Sequence, residues 1–454
     1  MILGSVLNPI NSSIIAVSLI PIGRALGEPP SRTAWLVSAL YLATSIGQPV
    51  AGRLVDLFGP RRVYLVGATL AGVAGLLGTF APHLGFLVAA RVLLGFGTCA
   101  GYPSAMYLIR SEARRTGHDS PAAVLTTLAV SAQTIAVIGP TLGGLLIGFG
   151  GWRTTFAVNV PLALACLVLG ARRLPKRAAA PSAPAAGGEA RRADLDLPGI
   201  GLFTVMLTSL LLFLMSPHLA HWYLLPATLA AGAAFTLRER RASAPFIDLG
   251  VLAGNRPLLA TYLRTLLTAT VSYTFLYGFT QWLEDGRGLS ATQAGLVLLP
   301  MFAIAIVVSV TTGRRAQVRG KLVVGGLGQL AACALLLLLT GRSPVWLLLA
   351  VVVVLGVPQG LLSLANQNAV YHQAVPERVG SSAGLLRTST YLGAIVASAA
   401  NGAFLAGGAS TAGLHHLADF ALAIATLLLV VTLLDRSLAQ VGRAATTPGR
   451  TDAP

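Results

Sequence analysis

The sequence predicts an all-α polytopic membrane protein with fourteen spanning helices, and three observations predict it. Charge is scarce: 10% of the 454 residues are Asp, Glu, Lys or Arg, against 55% apolar. A soluble domain carries about a quarter of its residues charged. Apolar runs of spanning length recur along the chain, which at about 20 residues per span has room for roughly 12 to 15 helices. The few basic residues gather in every second connection. The same composition excludes a disordered chain, which is polar and highly charged. It also excludes a barrel, whose strands alternate in segments of about ten residues.

The first six apolar runs fall at 2–24, 33–55, 63–82, 84–109, 121–148 and 153–171. The first begins at Ile2 without a basic leader and runs past signal-peptide length, so it reads as a span. The second ends in a basic turn, the fourth contains Arg91, and the fifth contains Gly139-Pro140 and Gly143-Gly144. Proline removes a backbone donor and glycine weakens a helix, so the fifth span is expected to be kinked or closely packed. Residues 1–171 form an N-terminal six-helix bundle. Residues 172–196, rich in Ala, Pro and Gly with scattered charge, cannot build a core and read as a flexible cytoplasmic linker. Two additional helices follow at 197–216 and 219–237, within a unit spanning 197–240, and residues 241–256 make a second charged linker. The last six runs, 258–282, 291–312, 322–340, 344–370, 380–406 and 414–434, form a C-terminal bundle over 257–436. Arg264 and Arg387 lie inside its first and fifth spans. Residues 437–454 read as a disordered tail.

The charges test this order. With the N-terminus in the cytoplasm, 24 of the 32 Lys and Arg fall in inner segments and 5 in outer ones, as the positive-inside rule requires. Both termini are then cytoplasmic. The net charge of +17 thus reads as topology. Basic residues spread over seven inner segments do not make a nucleic-acid surface. Cys99, Cys166 and Cys333 lie in apolar runs as packing residues, with no disulfide or zinc framework. His415, His416 and Asp419 lack an evident third ligand and read as an interfacial cluster, so no metal is expected. No nucleophile–base set or phosphate loop points to an enzyme or a cofactor.

An internal repeat is visible. Gly52-Arg53-Leu54-Val55-Asp56-Leu57-Phe58-Gly59-Pro60-Arg61-Arg62 closes the second span, and a weaker copy, Gly313 to Lys321, closes the tenth. Equivalent turns in two six-span blocks point to a duplicated transporter. The stretch 52–62 resembles the inner-loop signature of the major facilitator superfamily. Arg91 to Gly97 resembles that superfamily's fourth-helix motif, with Leu94 where glutamine is usual. Gly139 to Gly144 is similar to its fifth-helix antiporter motif. Gly151-Trp152-Arg153, Asn159-Val160-Pro161, Asp196-Leu197-Pro198-Gly199 and residues 288–300 resemble the fourteen-helix drug:proton antiporter branch.

The resemblance implies the major facilitator fold, two six-helix bundles plus two extra helices, and alternating-access export of drug-like molecules or metabolites with proton coupling. It implies gating roles for Gly52, Asp56, Gly59, Arg61 and Arg62, and a conformational role for Gly139, Pro140, Gly143 and Gly144. Asp56, at a helix C-terminal end, needs a cation or another helix's N-terminus opposite it. Arg61, Arg62 and the start of the thirteenth span near Gly380-Ser381 are the candidates. Arg91, Arg264 and Arg387 are intramembrane charges, functional by default, and with Asp56 are the candidates for proton coupling. Polar residues within spans outline a substrate cavity: Asn8, Asn11, Gln133, Tyr273, Tyr277, Gln359, Asn366 and Tyr391. No Asp or Glu occurs in residues 1–23, where the antiporter branch commonly carries an acid. Coupling would then use a boundary acid, a histidine or the substrate. The expected partners are a small-molecule substrate, protons and the bilayer around a monomer, with no nucleic acid. The high Arg content points to a bacterial plasma membrane. The alternatives are an importer or uniporter of the same fold, or a non-transporting membrane sensor.

Overall fold

In lipid every backbone N–H and C=O must be satisfied within the chain, so apolar runs of this length fold as helices. The computed structural model describes residues 2–28, 30–33, 35–116, 122–175, 196–215, 219–289, 291–313, 317–405 and 409–439. Among them stand fourteen long helices. The first six are α1 (Ile2–Leu26), α2 (Trp35–Phe58), α3 (Pro60–Thr79), α4 (Leu84–Thr98 continuing as Gly101–Thr116), α5 (Ala122–Gly150) and α6 (Asn159–Arg173). The extra pair is α7 (Leu197–Met215) and α8 (Leu224–Arg241). The last six are α9 (Arg256–Thr274), α10 (Ala291–Gly313), α11 (Val318–Leu336), α12 (Val345–Gln373), α13 (Val379–Leu405) and α14 (Thr411–Leu434). Among the described residues, eight helices are long and apolar enough on their own to cross a membrane, and α1 makes a ninth when its two bent parts are taken together. Most of the 172–196 linker, Arg314 and Arg315 of the second turn, and the tail from 440 lie outside the described residues.

Local chemistry sets the helix ends. Gly59 takes φ +86°, a conformation only glycine adopts freely, and Pro60 starts α3 immediately after it. Asn255 caps α9 by accepting from the Leu258 N–H at 3.1 Å, and Ser410 caps α14 from the Gly413 N–H. Beyond Thr274, α9 continues through two π turns, Phe275–Phe279 and Trp282–Gly286, a little further than the apolar run predicts. Those turns place Phe275, Phe279 and Trp282, all fully buried, at the centre of the C-terminal bundle's largest apolar core.

The two bundles meet mainly along α2 with α13 and α5 with α10. The extra pair does not complete either bundle. Phe203, Leu207 and Leu211 of α7 pack with Ile46 of α2 and Ile395 of α13, so this hairpin lies across the seam between the halves.

Candidate functional site

At the end of the bundle carrying the basic α2–α3 turn, called here the basic end, the seam is closed by backbone-to-backbone contact. A Cβ on Gly52 would stand 2.3 Å from the Gly380 carbonyl oxygen, and one on Gly384 would stand 2.3 Å from the Gln48 carbonyl oxygen. Only glycine permits this approach. It brings Asp56 over the start of α13, where its carboxylate accepts from the Gly380 N–H (2.9 Å), the Ser381 N–H (2.8 Å) and the Ser381 hydroxyl (2.5 Å). A helix N-terminus presents unsatisfied donors and partial positive charge, so a carboxylate is stabilised there. Of the three partners the sequence leaves open, α13 holds Asp56. Arg61 instead donates to the Ala171 carbonyl at the end of α6, at 2.8 Å, and Arg62 is exposed.

Two further contacts join the halves at this end. The Arg110 guanidinium of α4 donates to the Tyr371 carbonyl of α12 at 2.7 Å and lies over its ring. A Cβ on Gly313, at the foot of α10, would stand against Thr126 of α5. Higher up, the Gln133 amide donates to the Ser309 hydroxyl at 3.3 Å, which donates to the Gly360 carbonyl.

Toward the midplane the seam becomes polar and aromatic. Tyr391 donates to Asn8 Oδ1 at 2.9 Å, and Asn8 donates to the Thr98 hydroxyl at 3.1 Å. Tyr277 donates to the Tyr41 hydroxyl at 3.3 Å, joining the halves. The Tyr41 and Tyr391 rings stand 5.8 Å apart and those of Tyr273 and Tyr277 5.4 Å. Arg387 lies with its guanidinium 4.0 Å from the Tyr102 ring centroid, a cation–π contact. Tyr41, Tyr273, Tyr277 and Arg387 are half-buried where the halves meet. Asn366 is 2% exposed with its Oδ1 bare of partners, and Gln359 is half-buried on the same helix. Tyr41 and Tyr102 are absent from the polar set read from the sequence, because a tyrosine amid apolar residues of one span carries no local sign of what crosses to meet it.

The three intramembrane arginines part company. Arg91 is fully buried and donates to backbone carbonyls, Leu36 through Nε at 3.0 Å and Asn11 through both Nη atoms at 3.4 and 3.5 Å. It braces α4 to α1 and α2. Asn11 is further locked to Asn159 of α6 by reciprocal amide bonds of 2.7 and 2.9 Å, so it serves the N-terminal bundle's interior. Arg264 pairs with Asp435 at 2.6 Å at the far end of α14. Arg387 alone stays half-buried beside the tyrosines.

The glycines of α5 also divide. Gly139 and Gly143 lie against α1, where a Cβ would stand 2.2 Å from Ser13 Cβ and 2.7 Å from a Val17 methyl. Gly144 faces open space. α5 runs unbroken through Pro140, and the bend is in its partner: Leu3–Ile15 and Val17–Leu26 of α1 meet at 58°. Pro21 explains the place, since it cannot donate to the Val17 carbonyl one turn back. Gly139→Leu is therefore expected to slow transport at least tenfold, because overpacking a closed helix pair costs about 1–3 kcal/mol. Gly144→Leu should leave flux within about twofold of wild type, surface changes being nearly neutral. Equal flux in the two variants would show that the α1–α5 contact is not used.

Two six-helix halves, sealed at one end and polar where they meet, are the architecture of a membrane transporter. The chain belongs to the Major Facilitator Superfamily, whose description it matches over residues 1–398. It is 33% identical to an uncharacterized MFS-type transporter, YwoD, of Bacillus subtilis over 402 residues, 87% of this chain and 86% of that one. It is 31% identical to the lincomycin resistance protein of Streptomyces lincolnensis, over 85% of this chain and 79% of that protein. With the tetracenomycin C resistance and export protein of Streptomyces glaucescens it shares 29% identity, over 89% and 74%. In fold it is similar to the human organic anion transporter MFSD10, with a TM-score of 0.63 at 16% identity over 94% of this chain and 97% of that one.

Proposed function

We propose that this transporter exports small, drug-like organic molecules, neutral or anionic, across the bacterial plasma membrane by alternating access. The relatives named for antibiotic resistance and export support the direction and the substrate class. The basic end is read as cytoplasmic from the positive-inside rule, with both termini on that side. In this reading the structure stands closed to the cytoplasm, with Asp56 on α13 as the latch.

The observation that carries the substrate class is the electrostatics of the tyrosine cluster. Arg387 is the charged side chain left half-buried beside Tyr102. Around it stand aromatic faces, which bind flat apolar bodies, and amide and hydroxyl groups, which orient them. No carboxylate joins them among the described residues, so an organic cation would find no counter-charge. Proton coupling and a monomeric state belong to this proposal and rest on the family alone.

The test is sided flux in proteoliposomes with and without a pH gradient, using a neutral or anionic aromatic antibiotic beside a lipophilic cation. Arg387→Gln should reduce flux of the anionic substrate about tenfold or more, a charged hydrogen bond being worth about 1.5–3 kcal/mol. Arg387→Lys should recover part of it. A wild-type protein that moves only the cation, or an Arg387→Gln variant that moves the anion as before, would overturn the reading.

A further inference from the structure

The stretch Asp196-Leu197-Pro198-Gly199 has no place in the cluster or the latch, yet the structure gives it a chemistry. Asp196 caps α7: its Oδ1 accepts from the Gly199 N–H at 3.0 Å. The same oxygen takes the Arg238 guanidinium, Nε at 3.2 Å and Nη2 at 3.1 Å. Its other oxygen, Oδ2, has no partner, although the residue is only 6% exposed. Glu239, next to Arg238 in the last turn of α8, is 4% exposed. Its Oε2 accepts from the Ile247 N–H at 3.2 Å, and its Oε1 is bare.

The two bare oxygens converge. A Cβ on Gly199 would stand 2.5 Å from Asp196 Oδ2 and 2.5 Å from Glu239 Oε1, so the oxygens are at most about 5 Å apart and glycine is what makes room for them. Two ionised carboxylates cannot stay this close out of water. A metal ion is disfavoured, since Arg238 already supplies the positive charge.

We propose that Asp196 and Glu239 form a proton-binding site in which one proton is held between their facing oxygens, and that its occupancy sets how firmly the linker after α8 grips the cytoplasmic latch. The proton resides on Glu239, because Asp196 already faces the Arg238 guanidinium. Among the described residues no other charged group competes. α7 itself carries none, and Arg240 and Arg241 are exposed. On α2, Arg53 lies one turn from Asp56, which faces α13. On α13, Arg387 stands over Tyr102. The connection to the latch is short and runs through one hydrogen bond and one ion pair. Ile247, held by Glu239, precedes Asp248, whose carboxylate pairs with Arg378 at 3.3 Å. Arg378 stands two residues before Gly380, where Asp56 docks.

Glu239 lies past the apolar run of α8. Burial, aided by the Asp196 charge, pushes its carboxyl up from 4.5 to about 7. A raised acid favours its protonated form, so the contribution of the site is whole below 4.5 and is lost as pH rises through about 7. The grip then slackens as the cytoplasmic side becomes alkaline.

Infrared difference spectroscopy of the purified full chain in nanodiscs, titrated through neutral pH, tests the site without any substrate. A protonated-carboxyl band with a midpoint near 7 is expected, absent in Glu239→Gln, with its midpoint moved downward in Gly199→Ala. The grip is read in a cysteine-free background from spin labels at Arg115→Cys and Glu377→Cys. Their separation should widen on alkalinisation in the parent and become independent of pH in Glu239→Gln. A band unchanged in Glu239→Gln overturns the shared proton, and a label response unchanged in that variant overturns its link to the latch. Neither outcome depends on which solute is carried or in which direction.

Discussion

Asp56→Asn is expected to open the basic end and to lower transport by about two orders of magnitude. The carboxylate accepts three hydrogen bonds, two from the first free amides of α13 and one from the Ser381 hydroxyl. Hydrogen bonds to a charged group are worth about 1.5–3 kcal/mol each, and neutral ones about 1. Asparagine keeps one acceptor oxygen and loses the charge that faces the helix N-terminus. The net loss is therefore on the order of 3 kcal/mol, which shifts a two-state equilibrium roughly 100-fold. Labelling of a cysteine placed on α2 at the basic end should rise in this variant. Ser381→Ala removes one bond and should produce a smaller change of the same sign. If Asp56→Asn leaves both labelling and flux as they were, the latch is not what holds this end shut.

The latch was close to readable from the chain because its parts are local. Gly52, Asp56 and Gly59 are spaced along one helix end and its turn, and an acid at a helix C-terminus demands a positive partner. Charge alternation likewise gives the fourteen helices, since each loop is read from its own few residues. What the chain conceals is pairing across the fold. Arg264 looks like a cavity charge because Asp435, which neutralises it, stands 171 residues away. Arg91 looks the same, and is satisfied by backbone carbonyls that no sequence pattern displays. Asp196 and Glu239 are each unremarkable at a helix end and become a pair only when α7 and α8 fold together. Tyr41 and Tyr102 acquire meaning from Tyr277 and Arg387 on the opposite half. Within the α5 motif the division between Gly143 and Gly144 is a matter of helix face, decided by where α1 lies.

The second large effect is on stability. Asp435→Leu should lower the melting temperature of the solubilised protein by several degrees and reduce its yield, and Arg264→Met should do so less. Arg264 is fully buried, with Nη1 on Asp435 Oδ2 at 2.6 Å and Nη2 on the Thr261 hydroxyl at 2.5 Å. Asp435 is held ready at the end of α14 by the Ser437 N–H at 3.1 Å and the Ser437 hydroxyl at 2.5 Å. Removing one partner of a buried ion pair strands the other charge, at a cost of about 3–5 kcal/mol. Stranding the arginine is worse, because no water reaches it, whereas Asp435 lies at the helix end and can turn outward. Replacing both by apolar residues of similar volume removes the desolvation penalty along with the attraction, and such exchanges are often neutral. The double variant Arg264→Met with Asp435→Leu should therefore recover most of the lost stability. It should also transport, since this pair ties the first helix of the C-terminal bundle to the last and does not border the tyrosine cluster. A double variant that is stable yet inactive would place Arg264 in the transport cycle rather than in the frame of the bundle.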